Sequence, residues 1–188
     1  LILKGDPLVL VVTDSTFEVV ALVDNPNASG EIYRAGYIFK LYNASSSIPL
    51  KVIVGETYVP KGTTLAIFEG PFSIEEGVLP TRATFEWKEE SLMWQKNTTR
   101  APELVASSLN FSREDQSPRL DAKIENMSLE NISNIDVVAL ISDEADNVFA
   151  VSKTFIDVLP IGGSAPVVFT WPRPFGKKAL NISIIIRI

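Results

Sequence analysis

Cysteine and histidine are both absent from this chain of 188 residues. Without them it lacks the usual protein ligands for zinc, copper, haem and iron–sulfur centres. Cysteine nucleophiles are excluded too, as is the commonest general base near neutral pH. The missing cysteine leaves the redox compartment open, because disulfides are not obligatory outside the cell. Basic runs are also lacking. The 17 Lys and Arg residues are scattered among 23 Asp and Glu, for a formal net charge of -6. That is no footprint for nucleic acid. No stretch reaches the roughly 18 apolar residues of a membrane-spanning helix. There is no Gly-x-Ser-x-Gly elbow, P-loop or dinucleotide fingerprint. "GETYVPKGTT" holds Gly, Lys and Thr close together, but not at P-loop spacing, and reads as a turn. The expectation is a non-enzyme with no cofactor and no metal site.

What the chain has is strand. It is 46% hydrophobic with a mean hydropathy of +0.17, enough for a packed core. "PLVLVVTD", "TFEVVALVDN", "YRAGYIFKLYN", "LKVIVGETYV", "TTLAIFEG" and "RATFEWK" follow one another between Asn, Pro, Gly and Ser clusters. Tyr37, Phe39 and Leu41 share one face by period-two alternation, and so do Phe85 and Trp87. "FEWKEESLMWQK" is the best helix candidate, yet it reads equally as strand, connection and strand. The second half repeats the style, from "ELVASSLNFS" to "ALNISIIIRI".

The halves read as copies. "VDNPN" at 23–27 matches "IENMS" at 124–128, and "FKLYN" at 39–43 matches "ALISD" at 139–143. Pro60 with Gly62 recurs as Pro160 with Gly162. Proline fixes φ and glycine admits positive φ, so Pro-x-Gly is a turn signal with a mechanism. Each copy spans about 85–95 residues with roughly six or seven strands, the size of an immunoglobulin-like sandwich. The fold class expected is all-β: two tandem immunoglobulin-like antiparallel β-sandwich domains. Domain 1 covers 1–90, 91–103 is a linker or the start of domain 2, and domain 2 covers 104–188. Trp94 falls at this boundary and packs either at the junction or in an ordinary core.

"DPLVLVVTDSTFEVVALVDNPN", "YIFKLYN" and "GETYVPKGTT" together resemble the Phe-x-Leu-Tyr-Asp domain group. These are small all-β domains related in pattern to late-embryogenesis-abundant and immunoglobulin-like sandwiches. Phe39, Leu41 and Tyr42 match the name motif, with Asn43 where Asp is usual. The two-domain order resembles uncharacterised surface proteins of small-genome environmental prokaryotes, and "VVALISDEADNVFAVSKTFIDVLPIGGSAPVVFTWPRPF" fits their second domain. The resemblance covers nearly the whole chain. It implies fold and topology, a membrane anchor upstream of the tandem, and no activity. The opening "LIL" reads as the stub of a removed leader or anchor, or as an arbitrary boundary.

The most informative chemistry is Asn-x-Ser/Thr, at Asn27, Asn43, Asn97, Asn110, Asn126, Asn131 and Asn181. Seven of ten asparagines therefore lie in glycosylation triplets, where about one or two are expected by chance. Clustering of Asn and Ser in turns is the competing explanation, and it covers Asn27 and Asn43 in part. It covers Asn110 and Asn181 poorly, since both lie in apparent strands. Leu109 with Phe111, and Leu180 with Ile182 and Ile184, leave those two asparagines on the outward face. Occupied sites imply an exported or cell-surface protein.

Other candidates have plainer readings. Asp143, Glu144 and Asp146 in "DEADN" offer oxygen ligands for calcium, but lack EF-hand spacing and sit where a hairpin turn is needed. "SIEEG" at 73–77 and "REDQ" at 113–116 read as solvated turns. Trp87, Trp94, Trp171, Tyr33, Tyr42 and Phe175 offer stacking faces for sugars, yet most alternate in register with core residues. The function expected is a non-catalytic extracellular structural or adhesive module of a cell-surface or envelope protein. Its partners are other surface proteins or copies of itself, with covalent N-linked glycans. Two alternatives stand beside it. One is a filament subunit assembled by β-strand addition through the apolar segment Leu1–Val12. The other is a carbohydrate-binding module, which needs coplanar exposed aromatics.

Overall fold

The computed structural model describes residues 1–75, 77–99 and 102–188. It places them in antiparallel strands, with a short 3-10 turn at Glu89–Ser91 and no α-helix among the described residues. No helix there is long and apolar enough to cross a membrane. The chain divides into units 1–99 and 100–188.

The first unit contains β1 (Ile2–Leu3), β2 (Leu8–Val11), β3 (Thr16–Asn25), β4 (Gly30–Tyr42), β5 (Lys51–Val59), β6 (Thr63–Ser73), β7 (Arg82–Trp87) and β8 (Gln95–Lys96). One sheet centres on β3, with β6 along one edge and β1 and β2 along the other. The second centres on β4, with β5 on one side and β7 and β8 on the other. Alternation decides which face meets the core. Val19, Ala21 and Val23 of β3 face Tyr37, Phe39 and Leu41 of β4 across one buried cluster, with Leu65 and Ile67 from β6. Burying each large side chain of this kind stabilises by about 1.5–3 kcal/mol. Tyr37 adds a bond across the layers, its hydroxyl donating to Glu69 Oε1 of β6 at 2.7 Å.

The second unit contains β9 (Leu104–Ser112), β10 (Arg119–Asn126), β11 (Ile132–Ser142), β12 (Val148–Leu159), β13 (Ser164–Thr170) and β14 (Asn181–Arg187). One sheet runs β13-β10-β9 and the other β12-β11-β14. Strand for strand, this is the pairing order of the first unit. Leu120, Ala122 and Ile124 of β10 face Val137, Ala139 and Ile141 of β11. Each unit thus has the layering of a β-sandwich, with two antiparallel sheets about one core.

The Pro-x-Gly turns lie where the sequence places them. Gly62 has φ +60° and Gly162 φ +64°. Glu89–Ser91 resolves "FEWKEESLMWQK" as strand, turn and strand. In the stretch 91–103, Gln95 and Lys96 pair with Glu31 and Gly30, while Arg100 and Ala101 lie outside the described residues. Simple alternation fails in β9. The register shifts between Asp121 and Lys123 of its partner, and Ser108 sits at φ +54°. That bulge turns Leu109 outward, whereas Phe111 still packs on the core.

Candidate functional site

Glu31 is the one charged residue buried among the described residues, at 1% exposure. It is the second residue of β4, beside the loop that follows β3. Its Oε2 accepts hydrogen bonds from the Tyr58 hydroxyl at 2.9 Å and from Asn97 Nδ2 at 2.8 Å. Tyr33 stacks on Tyr58, with centroids 5.6 Å apart. Lys61 Nζ donates to the Asn97 carbonyl oxygen at 2.8 Å, to Asn97 Oδ1 at 3.2 Å and to the Thr99 carbonyl. Burial pushes the Glu31 carboxyl up. The hydrogen bonds from Asn97, Tyr58 and Tyr33, with the charge of Lys61, outweigh it and hold the group below its ordinary value. The Tyr58 hydroxyl is pushed up to about 12 by its burial and by Glu31. Tyr33 is raised by its hydrogen bond to Glu31.

This arrangement fastens chain. It ties the start of β4, the end of β5 with its following turn, and residues 97–99 to one carboxylate. Among the described residues, the second unit has no such cluster. The pairs Ile32 with Val59 and Ile132 with Leu159 set the correspondence. They put Asn131, Ser133, Val158 and Ile161 where the first unit has Glu31, Tyr33, Tyr58 and Lys61. Sequence reading missed Glu31. Its partners are 27 and 66 residues away in the chain, and only the topology brings them together.

The seven triplet asparagines fall into three environments. Asn27, Asn110, Asn131 and Asn181 are exposed, and Asn43 and Asn97 are half-buried. Asn27 Oδ1 accepts from the backbone N–H groups of Ser29 and Gly30, and Asn131 Oδ1 from that of Ile161. Asn43 accepts from Ser45 N–H, as Asp143 accepts from Ala145 N–H in the second unit. Asn181 donates through Nδ2 to Asp146 Oδ1 at 2.7 Å.

Asn126 differs. It is 1% exposed, and its Nδ2, the atom a glycan needs, donates to three backbone carbonyls. These are Glu130 at 2.8 Å, Leu159 at 3.0 Å and Pro160 at 3.1 Å, while Oδ1 accepts from Ser128 N–H at 3.0 Å. Asn25, fully buried in the first unit, does the same work. Its Nδ2 donates to Gly30 and Pro60 carbonyls at 2.9 and 2.7 Å, and its Oδ1 accepts from Asn27 N–H at 3.1 Å. Asn25 is followed by Pro and Asn, so it is in no triplet. The shared residue is therefore a lock that holds the strand-end loop to the Pro-x-Gly turn. At Asn126 the glycosylation motif coincides with that lock, and a glycan on Nδ2 is incompatible with this packing.

The acidic segments are turns. Asp143 Oδ1 accepts from Ala145 and Asn147 N–H groups, and its Oδ2 meets Lys177 Nζ at 3.2 Å. Partial burial pushes its carboxyl up, but those donors and the Lys177 charge hold it below its ordinary value. Lys177 thus pairs with Asp143, and no group of three or more His, Cys, Asp or Glu side chains that could hold a metal ion exists among the described residues. Glu114 accepts the Ala179 N–H at 2.8 Å. Of "SIEEG", Glu76 lies outside the described residues. Among the aromatics, Trp87 packs edge-on to Phe85, and Trp171 and Phe175 pack with Phe111. Tyr42 lies under the Arg82 guanidinium. Tyr33 and Trp94 remain open, at 55% and 46% exposure. Compared with known proteins, the chain matches no family model, and no curated protein matches it.

Proposed function

We propose that the chain is a tandem of two immunoglobulin-like β-sandwich domains acting as a non-catalytic structural or adhesive module at a cell surface or envelope. In this reading it is exported and carries N-linked glycans on Asn27, Asn43, Asn97, Asn110, Asn131 and Asn181. The observation that carries the reading is the partition of the triplets. Six of the seven asparagines are exposed or half-buried; Asn126 alone is buried, with its Nδ2 spent on three carbonyls, while Asn97 uses its Nδ2 for one bond to Glu31. Turn composition alone gives no reason for exposed asparagines on β9 and at the start of β14. Support for the immunoglobulin-like assignment comes from the repeated pairing order, three strand rows facing three, with connections that cross between the sheets.

The alternatives have less behind them. A donor-strand filament needs an unspent terminal strand, whereas Ile2–Leu3 and Leu8–Val11 pair with β3 of their own unit. A carbohydrate-binding module needs a platform of exposed rings, and four of its six candidate aromatics are packed or covered. The test is the mass of the native protein before and after enzymatic removal of N-glycans, with site mapping. The expected result is a mass loss with occupancy spread over the six named sites and none at Asn126. A native protein of unmodified mass overturns the export reading and leaves the fold untouched.

A further inference from the structure

The cluster around Glu31 brings together an amine, a carboxamide and a buried carboxylate, the three parts of an amide-forming reaction. Lys61 Nζ lies 3.2 Å from Asn97 Oδ1, and the Nδ2 of the same amide donates to Glu31 Oε2 at 2.8 Å. The amine therefore stands at the carbonyl end of the amide, and the carboxylate at its nitrogen. Cγ is one bond from Oδ1, so Nζ needs only a short movement to reach it. Holding two reactants in this way replaces a bimolecular encounter and removes much of the barrier. The Thr99 N–H donates to Oδ1 at 2.8 Å, where negative charge develops once a nucleophile adds to Cγ. The Tyr58 hydroxyl fixes the Glu31 oxygen from another side at 2.9 Å. Burial opposes ionisation of Glu31, but its hydrogen bonds and the Lys61 charge prevail, so the carboxylate is ready to take a proton.

Only the fold brings these groups together. Glu31 is on β4, Lys61 is on the turn after β5, and Asn97 directly follows β8. Asn97 is 36 residues from Lys61 and 66 from Glu31. The second unit is an internal control, since Asn131 and Ile161 stand where the first has Glu31 and Lys61. Isoleucine has no amine to offer.

We propose that the first unit forms an intramolecular isopeptide bond between Lys61 and Asn97, with Glu31 as the proton carrier. The Nζ–Cγ bond forms and the Cγ–Nδ2 bond breaks. Of the three protons on the Lys61 ammonium, one stays on the new amide. The other two pass by way of Glu31 to Nδ2, which departs as ammonium. Atoms and charge balance with no oxidant or co-reactant, and Glu31 ends as it began. The product makes covalent a fastening that hydrogen bonds already hold, between the turn after β5 and the segment after β8. It stands on this cluster and does not depend on the chain being exported. A glycan and the cross-link compete for the same Nδ2, so any one copy carries only one of them at Asn97.

The test is the intact mass of the whole chain, made in a host without N-glycosylation. The chain is incubated at mildly alkaline pH, which frees more of any lysine amine. Wild type is expected about 17 Da below the mass of its sequence, the ammonia lost. A tryptic digest is expected to join the peptides that carry residues 61 and 97. Lys61→Arg keeps the charge but is expected at full mass. Glu31→Gln, shown by circular dichroism to be folded, is expected to form the bond about a hundredfold more slowly. Lys61→Arg and the joined peptide decide the matter even where Glu31→Gln fails to fold. Folded wild type that stays at full mass overturns the proposal. So does a loss that persists in Lys61→Arg, the mark of succinimide formation at an asparagine, or a Glu31→Gln that cross-links as fast as wild type.

Discussion

Replacing Asn126 separates the lock from the glycan acceptor. In Asn126→Ala the carbonyls of Glu130, Leu159 and Pro160 lose their donor, and the Ser128 N–H loses its acceptor. The Leu159 carbonyl bond is buried, and the other two are partly buried. An unsatisfied buried carbonyl costs about 1–3 kcal/mol. One fully lost and two partly rehydrated give a cost of about 3 kcal/mol for the second unit, and for a domain of this size its melting temperature falls roughly 12–24 °C. Asn126→Asp is expected to be at least as damaging despite its equal size, because it sets a carboxylate against three carbonyl oxygens. Asn25→Ala inflicts the matching loss on the first unit. Hydrogen exchange read by mass spectrometry on the intact chain assigns each loss to its unit, through 120–126 of β10 or 19–25 of β3. A cost below about 0.5 kcal/mol, the range of ordinary surface substitutions, refutes the lock. An Asn126→Asp variant as stable as wild type does the same.

Two further outcomes follow from other positions. A Cβ on Gly55 falls 2.4 Å from the Tyr37 hydroxyl and 2.7 Å from Glu69 Oε1. Gly55→Ala should therefore cost about 2 kcal/mol in urea unfolding through overpacking, and a neutral result removes the claim that Gly55 makes room for the bond between the sheets. The folded-state value of Glu31 is depressed below its ordinary 4.5, so its contribution is complete above the unfolded-state value and is lost as pH falls through the folded one. Glu31→Gln should flatten the acid limb of first-unit stability, and acid unfolding curves that run parallel for wild type and variant contradict this.

Period-two patterning made much of the framework legible. Tyr37, Phe39 and Leu41 are apolar at every second position between polar or smaller residues, and all three are buried. The copied Pro-x-Gly turns are legible for a local reason too, since φ is fixed by one residue and freed by another two places on. What escaped reading depends on distance or on local irregularity. Glu31 looks like an ordinary strand-end carboxylate until Tyr58 and Asn97 are brought to it. The bulge at Ser108 has no local marker, so Leu109 was expected on the wrong face. Asn126 reads both as a glycan acceptor and as the strand-end turn matched to Asn25, 101 residues earlier in the aligned copies, and the second reading carries the information. An asparagine shared by two copies but embedded in a glycosylation triplet in only one of them points to the side chain's own hydrogen bonds.

That comparison between copies also separates frame from ornament. The strand order, the Pro-x-Gly turn, the Asn lock and the loop turn at Asn43 or Asp143 occur in both units, and each satisfies backbone groups that any such sandwich must satisfy. The end of the sandwich that carries the lock is where the units part. The first unit fills it with Glu31, Tyr33, Tyr58, Lys61 and Asn97, a charged cluster that consumes its own polar groups. The second leaves Met127, Leu129, Val158 and Ile161 exposed there, with Leu129 at 93%. A cluster saturated by its own chain has little left to offer a ligand, whereas exposed apolar side chains retain a driving force for association. The first unit thus spends its polar groups at this end on holding its own terminal segments, and the second does not.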